Sequence, residues 1–314
     1  MAKILINDGI HPDGQKMMEE AGHTVTTTKI PQEELAQKLP EYDAICVRSA
    51  TKVRKELIDL CPNLKAIARG GVGLDNIDVE HAKSKSIEVI NTPAASSEAV
   101  AELAFAHMYA LSRSLHKANR EMSSGDFKTL KKAYAKGKQL RGKTMGIIGL
   151  GRIGQETARI ALSLGMEVMA VDKMISKANI KLKIGGGVGD INVELDTVDM
   201  DTMLSNSDYI SVHVPFSGGK PLIGEAEIAK LKDGAILVNT ARGGTFDEDA
   251  LLAGLESGKL GGVGLDVFEN EPQPRKELLN NPNISMSPHI GAATSEAQRN
   301  IGLELAEKLI KTLG

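Results

Sequence analysis

The sequence contains little of what extracellular, metal-binding or nucleic-acid-binding proteins are built from. Its 314 residues include two cysteines and no tryptophan, and the formal net charge is −3. Cys46 and Cys61 have neither a CxxC partner nor metal-ligand spacing, so we interpret both as small core residues in a reducing compartment and expect no metal site. The nearly balanced charge leaves no broad basic surface for nucleic acid or an anionic membrane.

Long hydrophobic runs are absent as well. The most apolar helical stretch, 99–112, is too short to cross a membrane and contains Glu102 and His107. The chain enters a predicted strand at Lys3, so we expect no signal peptide and a cytoplasmic protein. The length favours two domains.

The stretch 144–172 carries the most specific pattern in the chain. An apolar run precedes Gly149, Gly151 and Gly154, which form G-x-G-x-x-G, and apolar positions at helical spacing follow. The first glycine of such a turn permits the bend, the second lets the backbone approach a pyrophosphate, and the third allows close helix–strand packing. The N–H groups that begin the helix then face the phosphates. The pattern predicts a dinucleotide-binding βαβ unit.

A second apolar run ends in Asp172, 18 residues after the third glycine. An acidic residue near this distance accepts hydrogen bonds from the adenosine ribose, and its charge repels a 2′-phosphate. We therefore expect NAD as the cofactor rather than NADP.

The first ninety residues alternate strand and helix patterns, which predicts a second α/β domain with a doubly wound parallel sheet. This region has no dinucleotide fingerprint, so we expect it to bind the substrate. The predicted strands are 3–7, 24–28, 44–47, 66–68 and 88–90, and the predicted helices are 13–21, 32–39, 54–60 and 79–85.

Two strand ends of this domain are followed by arginine, at Arg48 and Arg69. Ligands of parallel sheets gather at the carboxyl ends of strands, so both guanidinium groups are candidates for an anionic substrate. Gly70, Gly71 and Gly73 could turn backbone N–H groups toward a carboxylate. A surface ion pair is the alternative for either arginine.

The middle of the chain predicts one long helix over 96–116, apolar on most sides, which suggests burial between domains. Segment 117–142 is polar and rich in lysine. We interpret it as a solvated connection, and an arm that contacts a second subunit is the alternative.

Later strands are predicted at 209–212, 236–238 and 263–265, with helices at 202–206, 225–231 and 248–257. Asp247 is a suitable N-cap for the last of these helices. Between 172 and 208 the sequence is poorly patterned, and 184–189 is expected to be a flexible glycine-rich loop of unassigned role.

The final helix is predicted to begin at Ser295, with Gln298 completing a capping box. Its stripe of Ile301, Leu305 and Leu309 should pack on the first domain. We therefore expect a Rossmann NAD-binding domain at 94–288, inserted into a flavodoxin-like substrate domain made of 1–93 and 289–314.

An ionisable side chain follows each of three late strands, at Arg242, Glu271 and His289. Arginine can bind a carboxylate through two parallel hydrogen bonds, and histidine can exchange an alcohol proton near neutral pH. A carboxylate behind the imidazole would favour its charged form and fix its tautomer. Each residue alone has a structural explanation, but their joint position after a dinucleotide fold predicts catalysis.

Several segments resemble the D-isomer-specific 2-hydroxyacid dehydrogenase family, and the resemblance covers about 4–309. The most specific segments are NTARGG, GVGLDVFENEP and SPHIGAATSEAQ. Within the family, VRSAT, RGGVGLDNID and NTPAASSEAVAELA resemble the branch that oxidises D-3-phosphoglycerate.

The resemblance implies a role for each candidate residue. Arg242 would bind the C1 carboxylate and the C2 oxygen, His289 would be the general base, and Glu271 would pair with His289. The implied substrate contacts are Arg48, Ser49, Arg69, Gly70, Gly71 and Val72. The implied cofactor contacts are Gly149, Gly151, Arg152, Ile153, Gly154, Asp172, His213, Val214, Pro215, Thr240, Ala241, Asp266, Gly291 and Ala292.

The expected activity is NAD-dependent oxidation of D-3-phosphoglycerate to 3-phosphohydroxypyruvate, the first step of L-serine biosynthesis. A reductase for glyoxylate, hydroxypyruvate or another 2-oxo acid is one alternative, and a non-enzymatic NAD-sensing protein is the other. The chain ends at Gly314, so we expect a short form without a C-terminal regulatory domain. The resemblance also implies a homodimer.

Overall fold

The structure, a computed structural model, describes residues 1–185, 189–216 and 218–314. The chain divides into two compact units. The first combines Met1–Ser97 with Ala292–Gly314, and the second is the continuous segment Glu98–Gly291. His289 therefore groups with the second unit.

The first unit contains a five-stranded parallel sheet. Its strands are β1 (Lys3–Ile6), β2 (Thr24–Thr26), β3 (Ala44–Val47), β4 (Ala66–Arg69) and β5 (Glu88–Asn91), and its helices are α1 (Pro12–Glu20), α2 (Leu35–Lys38), α3 (Lys55–Asp59), α4 (Val79–Ser84) and α13 (Ser295–Leu313). The strand order β2-β1-β3-β4-β5 is the flavodoxin-like order, which reverses between β1 and β3.

Helix α13 covers one face of this sheet. Its buried stripe of Ile301, Leu305 and Leu309 packs with strand residues that include Ile4 and Ala68, as the sequence predicted. Helix α1 lies beside it at backbone contact, because a Cβ on Gly14 would overlap the carbonyl group of Gly302.

The predicted capping box at the start of α13 is wrong. Thr294 is the N-cap, and its hydroxyl accepts a hydrogen bond from the backbone N–H of Ala297 at 3.1 Å. The Gln298 side chain instead donates to the carbonyl oxygen of Ala292 at 2.6 Å. This places Gln298 one residue beyond the position that a capping box requires.

The second unit contains a six-stranded parallel sheet. Its strands are β6 (Thr144–Ile148), β7 (Glu167–Val171), β10 (Tyr209–Val212), β11 (Ala235–Asn239), β12 (Leu260–Leu265) and β13 (Ile284–Met286). They are arranged in the order β13-β12-β11-β10-β6-β7. Its helices are α5 (Ser97–Ser112, which starts at the unit boundary), α6 (Leu115–Glu121), α7 (Phe127–Ala133), α8 (Arg152–Ser163), α9 (Met200–Asn206), α10 (Glu225–Lys230), α11 (Glu248–Glu256) and α12 (Lys276–Leu279). Asp247 caps α11 as predicted, accepting from the N–H groups of Asp249 and Ala250.

One register row crosses all six strands just before they end. It joins Val171, Ile148, Val212, Asn239, Leu265 and Met286 through successive parallel pairings. The residues one step further along the six strands are Asp172, Gly149, His213, Thr240, Asp266 and Ser287. The register therefore places five predicted cofactor contacts, together with Ser287, along one edge of the sheet.

The poorly patterned region after Asp172 contains two further strands, contrary to the sequence analysis. Strands β8 (Lys177–Ile184) and β9 (Gly189–Asp196) form an antiparallel hairpin. Ala178 and Ile180 of β8 are buried in the core of the unit, whereas the alternating residues Lys177, Asn179 and Lys181 are exposed. Residues 186–188 of the predicted glycine-rich loop lie outside the described residues.

The predicted long helix over 96–116 is also wrong. Helix α5 ends at Ser112, and α6 begins at Leu115 after Ser114, which has a left-handed backbone with φ of 52°. Part of the predicted solvated connection is helical too, because α6 ends within it and α7 lies inside it. The side chains of these two helices are exposed or half-buried.

Cys46 and Cys61 are free thiols buried in the two apolar cores of the first unit, as predicted. Among the described residues, no helix is long and apolar enough to cross a membrane. The same residues contain no group of three or more His, Cys, Asp or Glu side chains that could hold a metal ion.

Candidate active site

Each of the three glycines in the turn between β6 and α8 has a different structural role. Gly149 has a φ of +96°, which a residue with a side chain rarely adopts. A Cβ on Gly154 would overlap the carbonyl oxygen of Gly149, so the helix and the turn pack at backbone distance. A Cβ on Gly151 would meet nothing within 4 Å, which leaves open space above the turn. The predicted turn is therefore present, with room for a ligand at its second glycine.

Helix α8 begins at this open space. Its N-cap is Gly151, which has no side chain to satisfy the first N–H groups of the helix. Uncapped N–H groups and the positive end of the helix dipole together attract a phosphate. Arg152 at the first helical position is exposed. The start of α8 is thus suited to a pyrophosphate.

Asp172 lies on the neighbouring strand end and is already hydrogen-bonded to the backbone. Oδ2 accepts from the N–H of Leu150 at 2.7 Å, and Oδ1 accepts from Met174 and Ile175 at 2.8 and 3.0 Å. Burial raises the pKa of Asp172, but these backbone donors outweigh burial and leave the pKa below its ordinary value. A carboxylate oxygen can accept two hydrogen bonds, so Oδ2 retains capacity for a ribose hydroxyl.

His213 and Thr240 follow the next two strands and each carries an unsatisfied buried atom. The Nε2 of His213 lies 2.9 Å from the hydroxyl of Thr157, while its Nδ1 is buried without a partner. The hydroxyl oxygen of Thr240 is likewise buried without a partner. Burial lowers the pKa of His213 to about 3, so its ring is neutral.

These observations fit a dinucleotide. Buried polar atoms without a partner are rare in folded proteins, and a bound ligand is one explanation for them. The open glycine turn, the uncapped helix and the ionised Asp172 match the pyrophosphate and the ribose. The remaining predicted cofactor residues of the second unit lie next to those already described: Ile153 in α8, Val214 and Pro215 after His213, Ala241 after Thr240, and Gly291 after His289. Ala292 belongs to the first unit.

The structure brings Glu271 and His289 together, as the sequence suggested. The Nδ1 of His289 lies 2.7 Å from Oε2 of Glu271, and the two side chains are 50% and 36% exposed. His289 has a φ of +55°, a left-handed conformation that is costly for a side chain of this size and that clusters at functional sites. When Nδ1–H donates to the carboxylate, Nε2 is the ring nitrogen that remains for the proton exchange expected from the sequence.

The turn that carries Glu271 is fixed by backbone contacts. Oε1 of Glu271 accepts from the N–H of Phe268 at 3.0 Å, and the buried Glu248 accepts from the N–H of Glu269 at 3.0 Å. A Cβ on Gly243 would overlap the carbonyl group of Phe268. The turns after β11 and β12 are therefore in backbone contact.

Arg242 is held in the first of these turns. Its carbonyl oxygen accepts from the Asn239 amide and from the Thr245 hydroxyl, both at 2.8 Å. Nη1 donates to the carbonyl oxygen of Ala241 at 2.7 Å, and the side chain is half-buried. Arg242, Glu271 and His289 thus follow three adjacent parallel strands, β11, β12 and β13, at one edge of the sheet.

A cavity of about 380 Å³ opens beside the Glu271–His289 pair within the second unit. Both side chains line it, and most of the remaining wall is apolar. That wall is formed by Phe268, Pro272, Pro274, Leu279, Met286, Ser287 and Pro288. The surface next to the Glu271–His289 pair is therefore mostly apolar.

Arg48 lies in a cleft of the first unit of about 410 Å³, at the carboxyl ends of β1, β2 and β3. Asp8 fixes the loop behind Arg48, because its carboxylate accepts from the N–H groups of Arg48 and Thr51 and from the Thr51 hydroxyl. Nη1 of Arg48 donates to Oε1 of Gln298 at 2.6 Å. The cleft lies where the strand order reverses, which is the usual ligand position in such a sheet. Its lining residues are Asn7, Asp8, Gly9, Thr27, Lys29, Arg48, Ser49 and Ala50.

The predicted carboxylate nest at the end of β4 is only partly available. The N–H of Gly70 donates to the carbonyl oxygen of Val47, and the N–H of Gly71 donates to the Thr92 hydroxyl, both at 2.9 Å. These two N–H groups are therefore already satisfied, contrary to the sequence expectation. Val72 is 41% exposed. Arg69 lies over Gly71, where a Cβ would be 2.5 Å from Nη1 of the arginine.

Sequence reasoning missed Lys29, Asp8, His107 and Glu248. Lys29 and Asp8 follow strand ends, so the rule that identified Arg48 applies to them equally. His107 and Glu248 are buried polar residues within helices, and their partners are far away in the sequence. Only the tertiary structure reveals those partners.

Comparison with known proteins is consistent with this site. The family of D-isomer specific 2-hydroxyacid dehydrogenases matches through its NAD-binding domain over residues 105–291. The chain is 46% identical to a hydroxypyruvate reductase of Thermotoga maritima, over 99% of this chain and 98% of that protein. It is 41% identical to a D-3-phosphoglycerate dehydrogenase of Methanocaldococcus jannaschii, but all of this chain spans only 58% of that relative.

Solved structures give the same result. A glyoxylate reductase from Paecilomyes thermophila superposes with a TM-score of 0.82 at 30% identity, over 98% of this chain and 94% of that one. A D-2-hydroxyisocaproate dehydrogenase superposes with a TM-score of 0.83 at 28% identity, over 99% and 96%. With the glycine turn, Asp172 and the Glu271–His289 pair in place, this chain belongs to the D-isomer specific 2-hydroxyacid dehydrogenases and is an NAD-dependent enzyme of that family.

Proposed function

We propose that the enzyme interconverts D-3-phosphoglycerate and 3-phosphohydroxypyruvate, the first step of L-serine biosynthesis. The glycine turn, the start of α8 and Asp172 would hold NAD, which would supply the acceptor for the hydride released from C2 of the substrate. The protein then has to remove the proton of the C2 hydroxyl, hold the C1 carboxylate and bind the phosphate.

His289 is proposed to take the hydroxyl proton. Its Nδ1 faces Glu271 at 2.7 Å, so Nε2 is the nitrogen that exchanges a proton with the substrate. The carboxylate of Glu271 stabilises the imidazolium that forms. In the reverse direction the same imidazolium returns the proton to the C2 oxygen.

Arg242 is proposed to bind the C1 carboxylate. Guanidinium groups match carboxylates through two parallel hydrogen bonds, and the rigid turn after β11 limits the conformations that Arg242 loses on binding. The substrate is thereby oriented with C2 toward the proton acceptor.

The observation that carries the phosphate assignment is the cleft of the first unit. Arg48 and Lys29 both line it, and within the described residues neither forms an ion pair with a carboxylate. Asp8, the acidic residue of the cleft, is occupied by three donors from the Arg48 loop. Two cations without a carboxylate partner suit a dianionic phosphate.

A second candidate is the reduction of unphosphorylated hydroxypyruvate. The 46% identity to the Thermotoga maritima hydroxypyruvate reductase favours it, because that relative matches along 98% of its length. The chemistry at Arg242, Glu271 and His289 is the same for both candidates. They differ only in the need for a phosphate site.

The deciding experiment compares kcat/KM for 3-phosphohydroxypyruvate and hydroxypyruvate in the reductive direction, and for D-3-phosphoglycerate and D-glycerate in the oxidative direction. The proposal expects a preference for the phosphorylated member of each pair. Arg48→Met should raise KM for the phosphorylated substrates about 10- to 100-fold, in line with a lost charge-assisted hydrogen bond. It should change KM for the unphosphorylated ones less than about threefold.

Arg54→Met is the matched control, because Arg54 lies in the same unit but is bonded to Asp78 and to the carbonyl oxygen of Asp75. It should leave all four substrates unchanged. Equal losses with both substrate classes in Arg48→Met would contradict the phosphate assignment. A wild-type preference for hydroxypyruvate would favour the second candidate.

We also propose a homodimer in which α5, α6 and α7 form the interface. Tyr109, Leu115, Met122 and Phe127 lie on or next to these helices and expose 41 to 65% of their surface. Phe127→Glu should convert a dimer to a monomer in sedimentation, whereas Met174→Glu, at an exposed residue elsewhere, should not. A wild-type monomer would disprove this assembly.

A further inference from the structure

His107 is a buried histidine in α5 that the proposed chemistry does not use. It is 4% exposed, and both ring nitrogens have partners on or next to β13. Nδ1 lies 2.9 Å from the hydroxyl of Ser285, and Nε2 lies 2.9 Å from the hydroxyl of Ser287. Ser287 stands two residues before His289.

The direction of these hydrogen bonds can be deduced. Ser287 donates its only hydroxyl proton to Oδ1 of Asp266 at 2.6 Å, so its oxygen must accept from Nε2–H of His107. Burial lowers the pKa of His107, against the opposing attraction of Asp266, which favours the neutral ring. Its Nδ1 is then unprotonated and accepts from Ser285.

The chain of bonds ends at the backbone around His289. Oδ1 of Asp266 accepts from the N–H of Ile290, and Oδ2 accepts from the N–H of Gly291, both at 2.8 Å. The carbonyl oxygen of Asp266 accepts from the N–H of His289 itself at 2.8 Å. Asp266 thus binds three consecutive N–H groups of the segment that holds His289 in its left-handed conformation.

The position of His107 is set by glycines in β12. A Cβ on Gly264 would lie 2.7 Å from Cβ of His107, and a Cβ on Gly262 would lie 2.8 Å from Leu111. His107 and Leu111 are four residues apart, so they share one face of α5. Because Gly262 and Gly264 have no side chains, α5 approaches β12 closely enough for His107 to reach β13.

We propose that His107 is a positioning residue for His289: it orients the Ser287 hydroxyl onto Asp266, whose carboxylate fixes the backbone that carries the imidazole. The neutral side chain acts through donor geometry and transfers no proton to the substrate. A misplacement of the acid–base group by about 1 Å can cost about 100-fold in rate, so a residue that does not touch the substrate can still control kcat.

The test compares His107→Leu with His107→Gln. Leucine removes both hydrogen bonds, whereas glutamine places an amide N–H near the position of Nε2. His107→Leu should lower kcat about 10- to 100-fold with hydroxypyruvate and 3-phosphohydroxypyruvate, while KM and the Kd of NADH change less than about threefold. His107→Gln should restore kcat to within about threefold of the wild type.

Two serine variants separate this role from general packing. Ser287→Ala should reproduce the kcat loss, and the double variant with His107→Leu should lose no more than either single one. Ser285→Ala is the matched control and should retain kcat, because it leaves Nε2 bonded to Ser287. Ser287→Ala also decides the question if His107→Leu lowers the Tm.

A nitrogen-15 histidine spectrum of the wild type supplies a readout that does not depend on turnover. It should show the His107 ring protonated at Nε2 and unprotonated at Nδ1 at neutral pH. A ring protonated at Nδ1 alone would overturn the proposal. So would a wild-type kcat in His107→Leu, or equal losses in the leucine and glutamine variants.

Discussion

Oε2 of Glu271 lies 2.7 Å from Nδ1 of His289, while Oε1 of the same carboxylate accepts a backbone N–H of its own turn, from Phe268. One side chain therefore orients the imidazole and is itself oriented by the backbone. The pair joins the turn after β12 to the turn after β13. In the proposed mechanism, Nε2 is therefore the ring nitrogen that exchanges a proton with the substrate.

Glu271→Gln should lower kcat by about 100-fold or more, because the amide can still bond to the ring but no longer stabilises the imidazolium. The measurement is the steady-state rate of NADH oxidation with the preferred 2-oxo acid. The matched control is Glu269→Gln, which alters an exposed carboxylate two residues away and should retain full activity. Similar losses in both variants would mean that the turn, and not the Glu271 charge, controls the rate.

Native protein should not react with iodoacetamide at either cysteine. Both thiols are 2% exposed, and burial raises the pKa of Cys46 to about 12 and that of Cys61 to about 11. The thiolate is the reactive species, so labelling requires unfolding. Mass spectrometry should detect no added groups in native protein and two after denaturation in guanidinium. Rapid native labelling of Cys46 would show that the core of the first unit opens.

The sequence predicted the elements whose pattern is local. Alternating strands and helices gave both sheets, and the spacing of Gly149, Gly151 and Gly154 gave the cofactor turn, because these patterns follow directly from backbone geometry. The β8–β9 hairpin was missed although its apolar residues alternate. Lys177, Lys181 and Lys183 give β8 a polar composition, and an antiparallel hairpin was not expected between two parallel strands.

The sequence predicted only those residues of the site that directly follow a strand. Arg242, Glu271 and His289 each follow a strand, so their shared edge could be inferred. The hydrogen bonds of the Gly70 and Gly71 N–H groups, and the bond of His107 to Ser287, join residues from 21 to 180 positions apart in the sequence. No local pattern encodes such pairs, and they emerge only when the chain folds.

His213 should make the protein sensitive to acid. Burial lowers its pKa from the ordinary value of 6.5 to about 3 in the folded state. The unfolded chain therefore binds a proton in this window that the folded chain does not, and stability falls as the pH drops from about 6.5 toward 3. The cost between pH 7 and pH 4 is about 3 kcal/mol at most.

His213→Gln tests this acid sensitivity, because it keeps a donor for Thr157 but cannot titrate. The free energy of unfolding from urea titrations should fall less between pH 7 and pH 4 in the variant than in the wild type. Identical pH dependence in the two proteins would assign the acid sensitivity to other groups.

Gly154→Ala should lower the stability of the protein, whereas Gly151→Ala should weaken cofactor binding and leave stability unchanged. A Cβ at residue 154 overlaps the carbonyl oxygen of Gly149, which is backbone and cannot rotate away, so we expect a loss of about 1–3 kcal/mol in unfolding free energy. A Cβ at residue 151 meets nothing within 4 Å, and its φ of −70° suits alanine, so the apo protein should keep its Tm.

The same methyl group at residue 151 stands where a pyrophosphate would approach α8, so the Kd of NADH should rise about tenfold or more, a cost of about 1.4 kcal/mol. Fluorescence titration of NADH and thermal unfolding of the apo protein separate the two effects. If Gly151→Ala binds NADH like the wild type, the phosphates do not contact this turn. If Gly154→Ala keeps the stability of the wild type, the backbone can move to accommodate the methyl group, and the contact between residues 149 and 154 does not require glycine.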